Sequence, residues 1–283
     1  MRLVGVGDNV VDCYPQLGKM FPGGNALNVA VQAARSGVPA AYLGAIGDDA
    51  AGDHIRTALA AEGVATDRLR VLAGASAYAV VRLVEGNRIF ESSDKGVSVF
   101  SLADADLEYL AGFDLAHCGY ASRLEAQVPA IAAATRLSFD FATRRTAAFA
   151  EPLLPYVEVA EFSASDLSDV EVEQVGRWAL GRGPRYVLVT MGQRGAALFS
   201  ADAVYRQPAL PTVAVDTLGA GDAFIGRLLV GLLRAEPLSG TLADAARCAA
   251  QTCQTHGAFG YPRPLPDGFP PASAPLVGPS ARS

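Results

Sequence analysis

Long hydrophobic runs and clusters of basic residues are both missing from this sequence of 283 residues. A transmembrane helix needs roughly 18 consecutive apolar residues, and no segment of the chain provides them. Lys and Arg (23) are outnumbered by Asp and Glu (29), which gives a net charge of −6 without any basic run. Membranes and nucleic acids are therefore not expected as partners.

Cysteine and histidine are scarce and scattered along the chain. The four cysteines form no C-x-x-C pair and the three histidines have no metal-ligand spacing: Cys13, Cys118, Cys248, Cys253, His54, His117 and His256. Asp8 also interrupts the apolar start of the chain, so no signal peptide is predicted. We therefore expect reduced thiols in a cytoplasmic protein.

Length and composition fit one sizeable globular domain. Hydrophobic residues make up 51% of the chain and charged residues 18%, which is enough to bury a large core. From Pro262 onward the chain becomes rich in Pro, Ala and Ser. The sequence predicts a domain over residues 1–261 and a disordered tail over 262–283.

Strand-like and helix-like segments alternate through most of the domain. Strands are predicted at 2–7 and 40–46, and helices at 23–36 and 49–62. The same alternation resumes between residues 102 and 255, ending in helices at 220–233 and 242–255. This order is typical of a parallel sheet covered on both faces, a three-layer α/β/α sandwich.

The middle of the chain breaks that alternation. Short strands are predicted at 69–72, 78–83 and 88–90, with a turn at 85–87 and no helix between them. Together with an extended piece at 10–14, they are expected to form a small antiparallel sheet. We interpret it as a lid built from about residues 9–20 and 66–95.

The segment 216–224, DTLGAGDAF, has the most distinctive pattern in the sequence. It follows a strand-like stretch at 213–215 and precedes a long apolar helix. If Gly219, Ala220 and Gly221 open that helix, their N–H groups and the helix dipole make an anion site. Asp222 then stands beside the anion, where it can accept a proton. On spacing alone, a plain helix start with a glycine turn is an equally good interpretation.

A second cluster lies near the N-terminus. Asp8 and Asp12 follow the first strand and face the helix that begins at Gly23 and Gly24, with Asn28 one turn further on. Carboxylates and an amide are good partners for several sugar hydroxyls. Without other support, ordinary strand-end and exposed aspartates are the more common explanation.

Two further groups lie where predicted strands end. Thr190, Gly192 and Gly195 form a glycine-containing turn after a strand, as in nucleotide-binding crevices, but many hairpins look alike. Asp140 and Asp166 follow two successive strands and could face a metal-bound phosphate tail. Strand-end and N-cap roles are the alternative for these two aspartates. A G-x-x-x-x-G-K-[ST] loop is absent, so any phosphate chemistry is not of that kind.

Taken together, the chain resembles the PfkB (ribokinase-like) family of sugar and nucleoside kinases. The resemblance rests on GGNALN at 23–28 and DTLGAGD at 216–222, in this order and at this separation, and covers about residues 1–260. It implies the three-layer fold with a β lid and the use of ATP with Mg²⁺. It also implies a homodimer formed through the lid strands.

The resemblance also assigns roles to individual residues. It makes Asp222 the base and Gly219, Ala220 and Gly221 the anion hole. The sugar is expected at Asp8, Asp12, Gly23, Gly24 and Asn28, and the nucleotide at Thr190, Gly192 and Gly195. Asp216, with the carbonyl of Leu218, is the expected contact of a monovalent cation such as K⁺.

One departure concerns the magnesium environment. The family carries Asn-x-x-Glu where this chain has Ser163-Ala164-Ser165-Asp166, so Asp166 is left to serve the metal, with a changed geometry. This departure keeps open a non-catalytic sugar sensor as an alternative to a kinase.

The N-terminal residues 7–26 resemble the branch of the family that phosphorylates fructoselysine. The resemblance implies a fructosamine acceptor, with ribokinase, fructokinase or nucleoside kinase activity as alternatives. The free carboxylate of such a substrate needs a cation, and Arg82 and Arg88 on the lid strands are the candidates, Arg88 first. Solvated lid arginines are the simpler explanation for each of them.

Overall fold

The computed structural model describes residues 1–84 and 87–268, without the side chains of 84–88. Numbered in chain order, its strands are β1 (Leu3–Gly7), β2 (Val10–Tyr14), β3 (Lys19–Gly23), β4 (Ala40–Gly47), β5 (Ala65–Leu72), β6 (Tyr78–Val84), β7 (Asn87–Asp94), β8 (Leu115–Gly119), β9 (Leu137–Ala142), β10 (Val159–Ser163), β11 (Tyr186–Thr190), β12 (Ala196–Phe199), β13 (Val204–Gln207) and β14 (Arg263–Pro264). Its helices are α1 (Asn25–Arg35), α2 (Ala50–Ala61), α3 (Asp104–Leu110), α4 (Val128–Ala134), α5 (Ala147–Ala150), α6 (Asp169–Leu180), α7 (Ala220–Leu233) and α8 (Leu238–Thr252).

A nine-stranded sheet forms the centre of the molecule, in the order β13-β12-β11-β10-β9-β8-β1-β4-β5. The seven strands from β11 to β5 run parallel, and β12 and β13 join antiparallel at one edge. The central parallel strands are mostly apolar because both of their faces are covered, whereas the edge strand β5 is more polar and partly exposed. The carboxyl ends of these strands therefore share one edge, where such folds place their sites.

Helices cover both faces of this sheet. Alternate residues of the strands, such as Leu3 and Val159, pack with α1, α7 and α8 in one buried cluster. The residues between them, such as Val4 and Ala160, pack with α3, α4 and α6 on the other face. This period-two division confirms the predicted three-layer sandwich.

A second sheet of five strands, in the order β14-β3-β2-β6-β7, corresponds to the predicted lid. It is mixed rather than antiparallel, because β2 and β6 pair in parallel. The segment predicted at 69–72 does not belong to it. That segment is the end of β5, which pairs in parallel with β4 at the edge of the large sheet.

Other differences arise where proline and glycine obscure the pattern. Strand β3 contains Pro22 and Gly23 and was not predicted, and helix α1 begins two residues later than expected. The stretch 213–215 is irregular rather than a strand. Within the segment expected to be a disordered tail, β14 pairs with β3. Residues 269–283 and most of the predicted turn at 85–87 lie outside the described residues.

Candidate active site

The glycine turn at 219–221 opens α7 as the sequence predicted. Gly219 is the N-cap and has φ +77°, and a side chain there would lie 2.5 Å from Cβ of Ala258. Only glycine fits this left-handed, crowded position. Ala220 is the first residue of α7, so the first N–H groups of the helix have no acceptor within it. The space around Gly221 is open, so an anion can reach these N–H groups.

Asp222 lies in the first turn of α7 and is held by two amides from α1. Asn25 Nδ2 donates to Asp222 Oδ1 over 2.9 Å, and Asn28 Nδ2 donates to Asp222 Oδ2 over 2.6 Å. Both carboxylate oxygens thus have a neutral donor, which stabilises the negative charge and fixes the side chain. The two segments that carried the family resemblance meet at this point.

Asn25 is a site residue that sequence reasoning missed. Its Nδ2 also donates to Asp140 Oδ2 over 2.9 Å, and its Oδ1 lies 3.0 Å from His117 Nε2. One amide therefore joins two carboxylates and an imidazole at the carboxyl edge of the sheet. The available signal was its place between Gly24 and Asn28 at a helix start, where an amide side chain can reach neighbouring strands.

Asp140, at the end of β9, has a perturbed pKa. Burial raises the pKa of Asp140 to about 7, and the charges of Asp222 and Asp8 act in the same direction. The N–H of Ala142 opposes the rise by donating to Asp140 Oδ1 over 2.7 Å. Two neighbouring carboxyl groups with different environments are typical of acid–base sites.

Asp8 caps α1 in this structure. Its carboxylate accepts hydrogen bonds from Asn25 N (2.8 Å), Ala26 N (3.3 Å) and Ser122 Oγ (2.8 Å). The side chain is buried, and both oxygens are used to orient the helix that carries Asn25 and Asn28. These contacts are those of a positioning residue, and the sugar contact that the sequence predicted for Asp8 stays a prediction.

Gly23 and Gly24 let the small sheet approach the start of α1. A side chain at Gly23 would clash with the carboxylate of Asp12, which is buried in β2. Gly24 has φ +113°, and its side chain would lie 2.6 Å from Cα of Asn9. The predicted sugar residues therefore lie on β2 (Asp12), at the end of β3 (Gly23) and at the start of α1 (Gly24 and Asn28).

Asp216 forms a separate network beneath the glycine turn. It is fully buried and accepts hydrogen bonds from Tyr14 Oη (2.6 Å), Leu218 N (2.9 Å) and Gly257 N (3.0 Å). These three hydrogen bonds explain how the loop before Gly219 is held. The contact of Asp216 with a monovalent cation stays a prediction.

The predicted nucleotide residues lie at the end of β11. Gly192 and Gly195 have φ +59° and +89°, and a side chain at Gly195 would overlap the carbonyl of Gln207. Thr190 Oγ1 donates to the carbonyl of Phe162 over 3.3 Å. The turn after β11 therefore lies beside the end of β10, at the same sheet edge as Asp140.

Asp166 is paired with an arginine. Arg145 donates to both of its oxygens, over 2.9 and 2.6 Å, and the guanidinium lowers the pKa of Asp166. Nowhere in the described part of the chain do three or more His, Cys, Asp or Glu residues form a group that could hold a metal ion. These donors fit magnesium only as an ion that comes with phosphate and water ligands, which is its usual mode of binding.

Of the two lid arginines, the structure describes the side chain of Arg82 only. Arg82 on β6 forms an ion pair with Glu91 on β7, with Nε 2.5 Å from Oε1. The side chain of Arg88, the expected carboxylate contact, lies outside the described residues.

A comparison with protein families identifies the class of this protein. The model of the pfkB family of carbohydrate kinases matches residues 2–264. The chain belongs to this family. It is therefore a phosphotransferase that acts on a hydroxyl group. In the part of the chain that the structure covers, no helix is long and apolar enough to span a membrane.

Two curated pfkB relatives align with almost the whole chain. Fructosamine kinase FrlD of Bacillus subtilis (strain 168) is 42% identical over 275 residues, 95% of this chain and 97% of the relative. Fructoselysine 6-kinase of Escherichia coli (strain K12) is 34% identical over 259 residues, 91% of this chain and 99% of the relative.

Solved structures confirm the ribokinase-like fold. Ribokinase of Arabidopsis thaliana, complexed with ribose and ATP, has a TM-score of 0.79 at 23% identity, covering 92% of this chain and 95% of that one. A putative ribokinase II of E. coli, in complex with ATP and Mg²⁺, has a TM-score of 0.75 at 22% identity, covering 91% and 94%.

Proposed function

We propose that this protein is a cytoplasmic, ATP-dependent kinase that phosphorylates the primary 6-hydroxyl of a fructosamine, fructoselysine above all. The observation that carries the proposal is the position of Asp222. Its carboxylate is fixed by two amides at the first turn of α7, directly beside the open glycine turn. A proton acceptor and an anion site are thereby placed next to each other, as transfer of a phosphoryl group to a hydroxyl requires.

The reaction depends mainly on positioning and on neutralisation of charge. Phosphoryl transfer passes through a loose transition state, so a strong base is not required. The bound nucleotide would supply the γ-phosphoryl group, and its magnesium ion would neutralise phosphate charge. The N–H groups at the start of α7 would hold the transferring oxygens, and Asp222 would take the proton of the acceptor hydroxyl.

An unpaired atom supports a hydroxyl-rich acceptor. Asn28 Oδ1 is buried and has no hydrogen-bond partner among the described residues. A buried carbonyl oxygen without a donor is costly, and a sugar hydroxyl is a donor of the right kind. Because the Nδ2 of the same amide holds Asp222, an acceptor bound there would lie next to the base.

The choice of a fructosamine rests on the two relatives, whose names specify a fructosamine and fructoselysine. A coupled ADP-release assay with fructoselysine, a second fructosamine, fructose, ribose and adenosine tests it. We expect the highest kcat/KM for a fructosamine. A higher value for fructose, ribose or adenosine would contradict the acceptor, and ADP release with none of them would favour the sugar sensor.

We further propose a homodimer formed through the small sheet. Its edge strand β7 exposes Ile89 and Phe90 by 42% and 41%, and exposed apolar residues on an edge strand favour pairing with a second copy. Light scattering is expected to give twice the chain mass of 29.3 kDa. Ile89→Lys should shift that mass toward the monomer, and a monomeric native protein would exclude the dimer.

A further inference from the structure

Polar side chains occupy one face of three neighbouring buried strands. His117 on β8 and Ser138 on β9 are register partners, and Glu161 lies on the adjacent β10. All three are almost completely buried. At their amino-terminal ends the same face carries Leu115 and Val159, which pack in one cluster with residues of α1 and α7, and at its carboxyl end it carries Asp140 of the active site. Three polar groups in such a place call for an explanation beyond packing.

These side chains form a continuous chain of hydrogen bonds that ends at the base. Glu161 Oε1 lies 2.5 Å from Ser138 Oγ, and Ser138 Oγ lies 2.8 Å from His117 Nδ1. His117 Nε2 then lies 3.0 Å from Asn25 Oδ1, and Asn25 Nδ2 reaches Asp222. The chain therefore crosses from the interior of the sheet to the active site.

The orientation of the Asn25 amide determines the direction of the hydrogen bond between Asn25 and His117. Its Nδ2 faces oxygens of Asp140 and Asp222, and only an N–H group can face two carboxyl oxygens favourably. Asn25 Oδ1 must then accept a hydrogen bond from His117 Nε2. The imidazole is neutral, because burial lowers the pKa of His117 to about 3. A neutral imidazole that carries its proton on Nε2 has an acceptor at Nδ1.

The direction of the remaining bonds follows in turn. Ser138 has one hydroxyl proton, which it must donate to His117 Nδ1. The short contact between Ser138 Oγ and Glu161 then requires a proton from Glu161, so Glu161 is a neutral carboxylic acid. Burial raises the pKa of Glu161 well above its usual value, and the charge of Asp140 adds to the rise. Its Oε2 has no partner among the described residues, which suits a neutral acid better than a carboxylate.

We propose that Glu161, Ser138 and His117 act as positioning residues, which fix the amide of Asn25 in the one orientation that presents its N–H groups to Asp222. The proposal rests on the function proposed for Asp222. If Asn25 were to rotate by half a turn, its oxygen would face the carboxylate of the base and displace it. Displacement of a reacting group by about 1 Å can cost on the order of 100-fold in rate.

Two glycines provide the space for this contact. A side chain at Gly5 would overlap the carbonyl of Ala26 and force α1 away from the sheet. A side chain at Gly119 would lie 2.7 Å from Asn25 Oδ1 and 3.0 Å from the carbonyl of Asp140. The start of α1 therefore lies close enough to β8 for an asparagine to reach a histidine inside the sheet.

The protonation of His117 is a direct test. Long-range ¹H–¹⁵N correlation spectra of the ¹⁵N-histidine-labelled protein distinguish the two neutral tautomers from the imidazolium. We expect His117 to carry its proton on Nε2. A proton on Nδ1, or on both nitrogens, would reverse the chain and overturn the proposal. This measurement needs no substrate, so its outcome is independent of the proposed kinase activity.

Substitutions in this series of hydrogen bonds distinguish a positioning role of its residues from a packing role. Ser138→Ala leaves His117 Nδ1 without a donor and should lower kcat by roughly 10- to 100-fold with little change in KM. Ser92→Ala is the matched control, because Ser92 is also buried and its hydroxyl has no partner among the described residues; it should keep full kcat. Glu161→Gln should keep kcat within about threefold, because a glutamine N–H can donate to Ser138 as the neutral acid does. Equal kcat for both serine variants, or loss of activity in Glu161→Gln, would overturn the proposal.

Glu161→Gln is also expected to differ from the wild type in how its stability depends on pH. The charged group that acts on Glu161 is Asp140 on the neighbouring strand β9, and Asp222 of α7 lies further away, on the other side of Asn25. On β8, His117 is neutral. On β11, the register partner of Glu161 is the apolar Leu188. Because the folded protein holds Glu161 protonated, this side chain lowers the stability of the wild type by an amount that grows as pH rises above the ordinary glutamate value of 4.5. Glu161→Gln lacks this loss, so its melting temperature should exceed that of the wild type increasingly from pH 5 to 8. A lower melting temperature of Glu161→Gln at pH 8 would mean an ionised Glu161 and would overturn the proposal.

Discussion

Asp222→Asn is expected to lower kcat by roughly 10²- to 10⁴-fold, the range for removal of a general base, while KM for the sugar and for ATP changes little. The carboxylate that takes the proton is lost, and the new amide N–H₂ faces the N–H donor of either Asn25 or Asn28. Steady-state kinetics by coupled ADP release measure the effect. Activity within tenfold of the wild type would remove Asp222 from the role of base.

A matched control separates loss of the base from loss of a favourable charge at a helix start. Asp169 lies in the first turn of α6, as Asp222 lies in the first turn of α7, and it is exposed and paired with Arg194. Either substitution removes a helix-dipole contribution of about 0.3–1 kcal/mol. Asp169→Asn should therefore match Asp222→Asn in thermal stability to within a few degrees, yet keep full kcat.

Much of the fold could be predicted because the local signals agree with the tertiary structure. Helix α7 has a left-handed glycine before it and a long apolar stretch, and α2 has Asp49 as a capping residue. The predictions failed where the local sequence does not determine which strand a segment pairs with. Strand β5 has the same appearance whether it joins the large sheet or the small one, and only the crossover through α2 sends it to β4. Strand β3 was missed because Pro22 and Gly23 are unusual in strands.

The site was predicted in part, and the missing part has a physical reason. Asp222 and the glycine turn are recognisable because their chemistry is contained in one short segment. Asn25, His117, Ser138 and Glu161 are spread over more than 130 residues, and each has an ordinary explanation by itself. A polar residue in the middle of three successive buried strands was the available signal, and it becomes meaningful only once the strand order is known. Asp8 and Asp216 have a role that the sequence did not predict, since each carboxylate accepts hydrogen bonds from backbone N–H groups.

Asp216→Ala is expected to destabilise the protein by on the order of 3–5 kcal/mol. The substitution removes an acceptor that is fully buried and leaves three donors without it: Tyr14 Oη, Leu218 N and Gly257 N. Each buried donor without an acceptor costs about 1–3 kcal/mol. Urea unfolding followed by circular dichroism measures the loss. A value below about 1 kcal/mol would show that water replaces the carboxylate and that the network does not hold the loop.

A double-mutant cycle with Tyr14→Phe tests that interpretation more sharply. Tyr14→Phe alone removes one bond to a charged acceptor and should cost about 1.5–3 kcal/mol, because Asp216 keeps its two backbone donors. In the Asp216→Ala background the same change removes a buried hydroxyl that has lost this acceptor, so it should cost little or even restore stability. The two effects are therefore expected to be less than additive, with a coupling free energy of at least about 1 kcal/mol. Additive effects would mean that Tyr14 stabilises the loop through its ring and not through its bond to Asp216. The ring packs edge-on against that of Phe21, with 5.3 Å between the ring centroids.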